Sequence, residues 1–352
     1  MAPRRRRGDE PGWRWRAVLR RAPLVLLFAL GALSGVLLWG YTPDLPRDYL
    51  IERYGQPPST FIDVGGTRTH VLDQGKSDAM PLVLIHGSLE SLQVWDGWVD
   101  QLKDRYRLIS VDLPGHGLTG PWARGEYTVD AYADFIEVLA DTLQLDRFAV
   151  AGHSLGGAVA WTFAATRPER VSQLILVDAA AYPREGKPTW RTRLARASGI
   201  GDVGIYFKPE WVVRDALKEV YANPAMVTPE RVRRFAELQR YPGNRKATLQ
   251  RTRTQEPLDP TPLKRLDVPT LIIWGTQDRW TPVADAFRLQ TDIKGAKLAL
   301  FSTSGHNPME EDAKGTAQAV AGFLPSEPPA AITPPPPPRS DEVAPAVVPE
   351  KD

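Results

Sequence analysis

Between residues 60 and 324, short apolar runs alternate with stretches whose apolar positions recur every three or four residues. This alternation predicts an α/β domain, a parallel sheet covered by helices. FIDV and TRTHVLD, joined through Gly65 and Gly66, read as an opening hairpin. The strands that follow are expected in PLVLIHG (81–87), YRLISVDLPGHG (106–117), RFAVAGHS (147–154), VSQLILVD (171–178), PTLIIWG (269–275) and AKLALFS (296–302). Helical patterns occupy 128–143, 155–166 and 309–323. From 179 to 262 the alternation breaks. EWVVRDALKEVY (210–221) and TPERVRRFAELQRY (228–241) read as helices, with Thr228 and Pro229 suited to an N-cap and first turn. This interval is expected to be a helical cap inserted over the sheet.

The two ends of the chain follow other rules. Residues 22–41, APLVLLFALGALSGVLLWGY, hold no charge over 20 positions, about the length that spans a bilayer core of ~30 Å. Eight arginines precede them, from Arg4 to Arg21. The positive-inside rule then predicts a single transmembrane anchor with residues 1–21 cytoplasmic and the rest of the chain extracytoplasmic, periplasmic in a bacterium. A cleaved signal peptide is the competing reading. It fits less well because its apolar core is usually about 7–15 residues and ends in small residues. Residues 42–59 hold four prolines and little periodicity, and are expected to be a linker. Residues 325–352 carry ten of the 33 prolines and are expected to be a disordered tail.

Composition narrows the chemistry. The chain has 352 residues, no Cys and five His. A thiolate nucleophile, a disulfide scaffold and Cys-based metal sites are therefore excluded, and neither a metal nor an organic cofactor is expected. The net charge is +2, but residues 1–21 carry +6. The remainder is acidic, which argues against nucleic acid as a partner.

Gly152-His153-Ser154-Leu155-Gly156 fits the pattern GxSxG. It stands between an apolar strand and a helix that opens with small residues, the setting of a nucleophile elbow. A serine hydroxyl needs a base, and His306 is the only histidine after Ser154. His306 lies in a loop at the C-terminal edge of the sheet, the edge that carries the elbow. An acid must orient it. Asp278 follows a strand on that edge and is preferred; Asp178 also ends such a strand and is the runner-up. Asp267 precedes its strand and lies at the wrong edge. The developing oxyanion needs two backbone N–H donors, expected at Leu155 and, after the turn beyond PLVLIHG, at Ser88.

His86-Gly87, Asp112-Leu113-Pro114-Gly115-His116-Gly117, GHSLGG (152–157), WGTQD (274–278) and GHNPMEED (305–312) stand in this order. Over residues 60–324 the chain resembles the α/β-hydrolase superfamily. The resemblance implies a mostly parallel eight-stranded sheet with a helical cap after the sixth strand. It implies the roles of nucleophile for Ser154, acid for Asp278, base for His306 and oxyanion donors for Ser88 and Leu155. The expected function is a membrane-anchored serine hydrolase of carboxylic esters. A carbon–carbon bond hydrolase is the runner-up within the fold. A membrane-tethered binding protein that kept the scaffold is the alternative outside catalysis.

The cap, residues 179–262, holds 16 Lys or Arg against nine Asp or Glu. A basic cap on a flexible tether suits anionic lipid headgroups, and an apolar acyl ester is then the expected substrate. A solvated basic face is the plain alternative.

Overall fold

The computed structural model describes residues 40–183 and 196–325, with positions 26–28, 31, 35, 193 and 327. Eight strands are present: β1 (Thr60–Val64), β2 (Thr67–Gly75), β3 (Pro81–Ile85), β4 (Arg107–Val111), β5 (Phe148–His153), β6 (Val171–Val177), β7 (Thr270–Gly275) and β8 (Lys297–Phe301). The α-helices are α1 (Arg47–Tyr54), α2 (Asp96–Leu102), α3 (Val129–Thr142), α4 (Leu155–Thr166), α5 (Ile200–Gly204), α6 (Glu210–Val220), α7 (Pro229–Gln239), α8 (Asn244–Thr254), α9 (Val283–Asp292), α10 (Pro308–Glu311) and α11 (Ala313–Phe323).

The strands form one sheet in the order β1-β2-β4-β3-β5-β6-β7-β8. β1 and β2 pair antiparallel, as do β2 and β4; all other pairs are parallel. Each central strand is apolar on both faces, as a sheet covered on both sides requires. The period of two sorts the residues between two cores. Val83, Ile85, Ile109, Val111 and Val150 face a core with α3, α4 and α9. Leu82, Leu84, Leu108, Ala149 and Ala151 face a second core with α2 and α11.

Among the described residues, the interval between β6 and β7 holds the helices α5 to α8 and no strand. Thr228 caps α7 by accepting from the Arg231 N–H at 3.2 Å, and Pro229 occupies its first turn. The last helical pattern, 309–323, is broken at Asp312. That residue has a non-helical backbone and caps α11 by accepting from the Gly315 N–H.

Residues 42–59 are not a linker. They contain α1 and dock on the cap. The Thr42 N–H donates to Tyr206 O at 2.7 Å and the Leu45 N–H donates to Arg240 O at 2.9 Å. Arg245 reaches back to Asp44 and to the Thr42 carbonyl. Tyr49 and Tyr54 donate to Glu237, and Leu50 is fully buried against Leu118, Leu238 and Tyr241. The expected anchor over 22–41 and tail over 325–352 lie almost wholly outside the described residues. Among the described residues no helix is long and apolar enough to cross a membrane.

Candidate active site

β5 runs directly into α4 through Ser154, whose backbone has φ +49° and ψ −111°. That left-handed conformation is strained for a residue with a side chain. It is held by a hydrogen bond from the Ser154 N–H to Val177 O at 3.0 Å and by one from the Ala180 N–H to Ser154 O at 2.9 Å. The turn closes only because its neighbours are small. A Cβ on Gly152 would collide with the Gly156 carbonyl, and one on Gly156 would collide with the Ile85 carbonyl. The Ser154 hydroxyl makes no hydrogen bond among the described residues. Its side chain stands half-buried at the C-terminal edge of the sheet.

His306 lies beside this turn. Its carbonyl oxygen is 2.8 Å from His153 Nε2, and the two imidazole rings are 4.7 Å apart. Its Nδ1 is 2.7 Å from Asp278 Oδ2. Asp278 also accepts from the Trp280 N–H at 2.6 Å, the Thr281 N–H and the Thr281 hydroxyl. Burial opposes charge on Asp278, yet these bonds, the one from His306 foremost, hold its carboxyl below the usual range. Burial pulls the His306 pKa below its ordinary value, and Asp278 only partly restores it.

Asp178, the runner-up acid, does not bond His306. It is fully buried and accepts from the Gly275 N–H at 3.1 Å. Burial, with the Asp278 charge nearby, pushes its carboxyl well above the ordinary value. The two carboxyls expected at this edge are thus shifted in opposite directions, Asp278 down and Asp178 up. Asp178, Asp278 and His306 bring one ligand atom each within 4.8 Å of one another. Two of these three residues, His306 and Asp278, are already bonded to each other.

Gly87 and Ser88 close the other side. A Cβ at Gly87 would lie 3.1 Å from Ser154 Cβ, so the Ser88 backbone passes next to the elbow. Leu155 heads α4, so its N–H has no acceptor within the helix. Neither amide has a partner among the hydrogen bonds of the described residues. Both predicted donors thus lie next to Ser154 in the chain or in space, with their N–H groups unengaged among the described residues.

Four residues at the site were missed from sequence. Glu90 accepts from the Gly87 N–H at 2.7 Å, from Asn307 Nδ2 at 2.8 Å, and pairs with His153 Nδ1 at 2.8 Å. Burial opposes its charge, but His153 holds its carboxyl down at about 2. In return Glu90 outweighs burial and raises the His153 pKa. Asn307 and Thr281 tie the His306 loop to this pair and to Asp278. Arg251, on α8, donates to the Ser88 hydroxyl from the cap. The remaining histidines bond within the scaffold. His70 lies between Ser59 and Asp112, at 2.6 Å from each. His86 accepts from the Leu113 N–H, and the His116 ring packs tilted against it, 5.1 Å away. Burial drives the His116 pKa down to about 3.

Comparison with known proteins agrees with this architecture. The model of the alpha/beta hydrolase fold family matches residues 80–313. A pimeloyl–acyl-carrier-protein methyl ester esterase of Nitrosomonas europaea is 32% identical over 239 residues, covering 64% of this chain and 88% of that protein. A 2-hydroxymuconate semialdehyde hydrolase of a Pseudomonas species is 28% identical over 278 residues, covering 77% and 95%. A meta-cleavage product hydrolase from Pseudomonas fluorescens superimposes with a TM-score of 0.64 at 27% identity, over 75% of this chain and 96% of that one. With the family model matched from β3 to the start of α11, this chain belongs to the alpha/beta hydrolase fold family and is a hydrolase.

Proposed function

We propose that this hydrolase cleaves carboxylic esters through an acyl-enzyme on Ser154. The observation that carries the reading is the Asp278–His306 bond of 2.7 Å beside a serine held at φ +49°. In this reading His306 Nε2 takes the Ser154 proton as Oγ attacks the acyl carbon. Asp278 holds the Nδ1 proton and stabilises the imidazolium. The N–H groups of Ser88 and Leu155 receive the oxyanion, each worth about 2.7–4 kcal/mol of barrier. His306 then protonates the leaving alcohol, and water repeats the sequence on the acyl-enzyme.

The test is the full chain and its Ser154→Ala variant with a fluorophosphonate probe and p-nitrophenyl esters from acetate to palmitate. Labelling and turnover in the parent alone are expected, with kcat falling on the order of 10⁶-fold in the variant. An unlabelled parent that cleaves no ester sinks the reading. Carbon–carbon hydrolysis is the second reading, supported by the likeness to the semialdehyde hydrolase. Labelling without ester turnover would favour it.

The same proposal makes residues 22–41 a membrane anchor with the catalytic domain extracytoplasmic. It is supported by 20 uncharged residues behind eight arginines. A reporter fused after residue 324 that reads cytoplasmic would overturn it.

A further inference from the structure

The cap places several arginines in buried or half-buried positions, and most meet an acid. Arg245 pairs with Asp44, and Arg231 and Arg234 both pair with Glu310 at 3.2 Å. Arg251 differs. It is 9% exposed and has no ion pair among the described residues. Its two hydrogen bonds go to neutral oxygens, the Ser88 hydroxyl and, at 3.4 Å, Gln255 Oε1. Its Nε has no partner. A guanidinium offers five N–H donors and stays charged in proteins. Burying it without a carboxylate costs several kcal/mol. Its place in the last turn of α8 returns only about 0.3–1 kcal/mol from the helix dipole.

The cost falls at a specific location. Arg251 touches the side chain of Ser88, the residue whose backbone runs beside Ser154. Its positive charge also bears on the buried His116 and Tyr132 nearby. A cation held in reserve on the oxyanion side of the nucleophile suits a substrate that brings the missing negative charge.

We propose that Arg251 is an anion subsite, and that the ester cleaved at Ser154 carries a carboxylate on its acyl portion. This rests on the ester-hydrolase reading and narrows it, from an apolar acyl ester to the monoester of a short dicarboxylic acid. The carboxylate meets the free N–H groups of Arg251 in a charge-assisted bidentate pair, with the scissile carbonyl between Ser154 and the Ser88 and Leu155 amides. The chemistry is ordinary ester hydrolysis: alcohol leaves first, water enters second, and the dicarboxylic acid is released.

The test compares monomethyl glutarate with methyl valerate, matched in carbon count, on the full chain and on Arg251→Leu. The parent is expected to prefer the charged ester. The ratio of kcat/KM values should fall about 10–100-fold in the variant, the usual effect of a hydrogen bond to a charged group. Arg251→Lys should recover part of that ratio. An equal loss on both esters, or no preference in the parent, overturns the proposal. Calorimetric titration of the parent with glutarate needs neither turnover nor a folded variant. Binding that valeramide does not reproduce supports the subsite, and no binding overturns it. A parent that binds glutarate but resists the fluorophosphonate probe would keep the subsite and sink the ester reading.

Discussion

The rim of the sheet and the cap hold their buried charges by different chemistry. At the rim, carboxylates meet imidazoles: Glu90 with His153, Asp112 with His70 and Asp278 with His306. In the cap, carboxylates meet guanidiniums, and two of the partners come from other parts of the chain. Asp44 precedes α1 and Glu310 lies in α10, yet both bind cap arginines. An imidazole changes charge near neutrality, whereas a guanidinium does not. The His153 and His306 pairs therefore respond to pH, and the guanidiniums of the cap do not.

The sharpest way to press this contrast is at Asp278. Asp278→Asn should lower kcat by about 10⁴-fold, because the imidazole loses its orienting acceptor. Asp178→Asn, at a carboxyl that bonds the Gly275 N–H and not His306, should cost far less; a steady-state comparison of the two settles which acid serves the proposed base. As the proposed base, His306 would work only when neutral, and burial lowers its pKa from 6.5. The acid limb of kcat/KM should therefore lie below pH 6.5.

Glu90 comes next. Glu90→Ala strands the Gly87 N–H, Asn307 and a buried His153, and should destabilise the fold by about 3–5 kcal/mol in urea titration. The Glu90 carboxyl is held down from 4.5 to about 2. Its stabilisation is complete above pH 4.5 and is lost as pH falls toward 2. The His153 pKa is raised from 6.5, so its share is complete below 6.5 and is lost as pH climbs through the raised value. Thermal midpoints of the parent should slope on both sides of this window, and Glu90→Gln should flatten the acid side.

On the cap, Asp44→Ala leaves Arg245 bonded to the Thr42 carbonyl alone among its strongest partners. A loss of about 2 kcal/mol is expected, read as earlier proteolysis of the cap while Ser154 labelling of the sheet domain persists. The smallest effect belongs to an exposed pair. Lys218→Ala, which removes a bond of 2.9 Å to Asp215 on the cap surface, should change stability by no more than about 0.5 kcal/mol.

The rim was more legible in sequence than the cap, for a physical reason. Each strand buries a contiguous apolar run, and the elbow needs its glycines at fixed offsets, so Ser154, His306 and Asp278 announce themselves locally. Glu90 and Asn307 act through partners 63 and 217 residues away, and nothing beside them in sequence marks that. Arg251 sits in QRTRTQ two residues before Arg253, which pairs with Asp202. Only folding separates the paired arginine from the unpaired one. The segment 42–59 misled because α1 buries a single residue, Leu50. It docks through hydrogen bonds to the cap, which leave no periodic trace.

That docking makes the N-terminus a handle. Thr42 and Asp44 are fastened to Tyr206 and Arg245, not to a strand. Force entering at residue 40 loads those bonds in series before it reaches the sheet. The cap would yield while the rim kept its shape. In the proposed arrangement, with residues 22–41 as a membrane anchor, a pull on that segment would reach the cap before it reached Ser154.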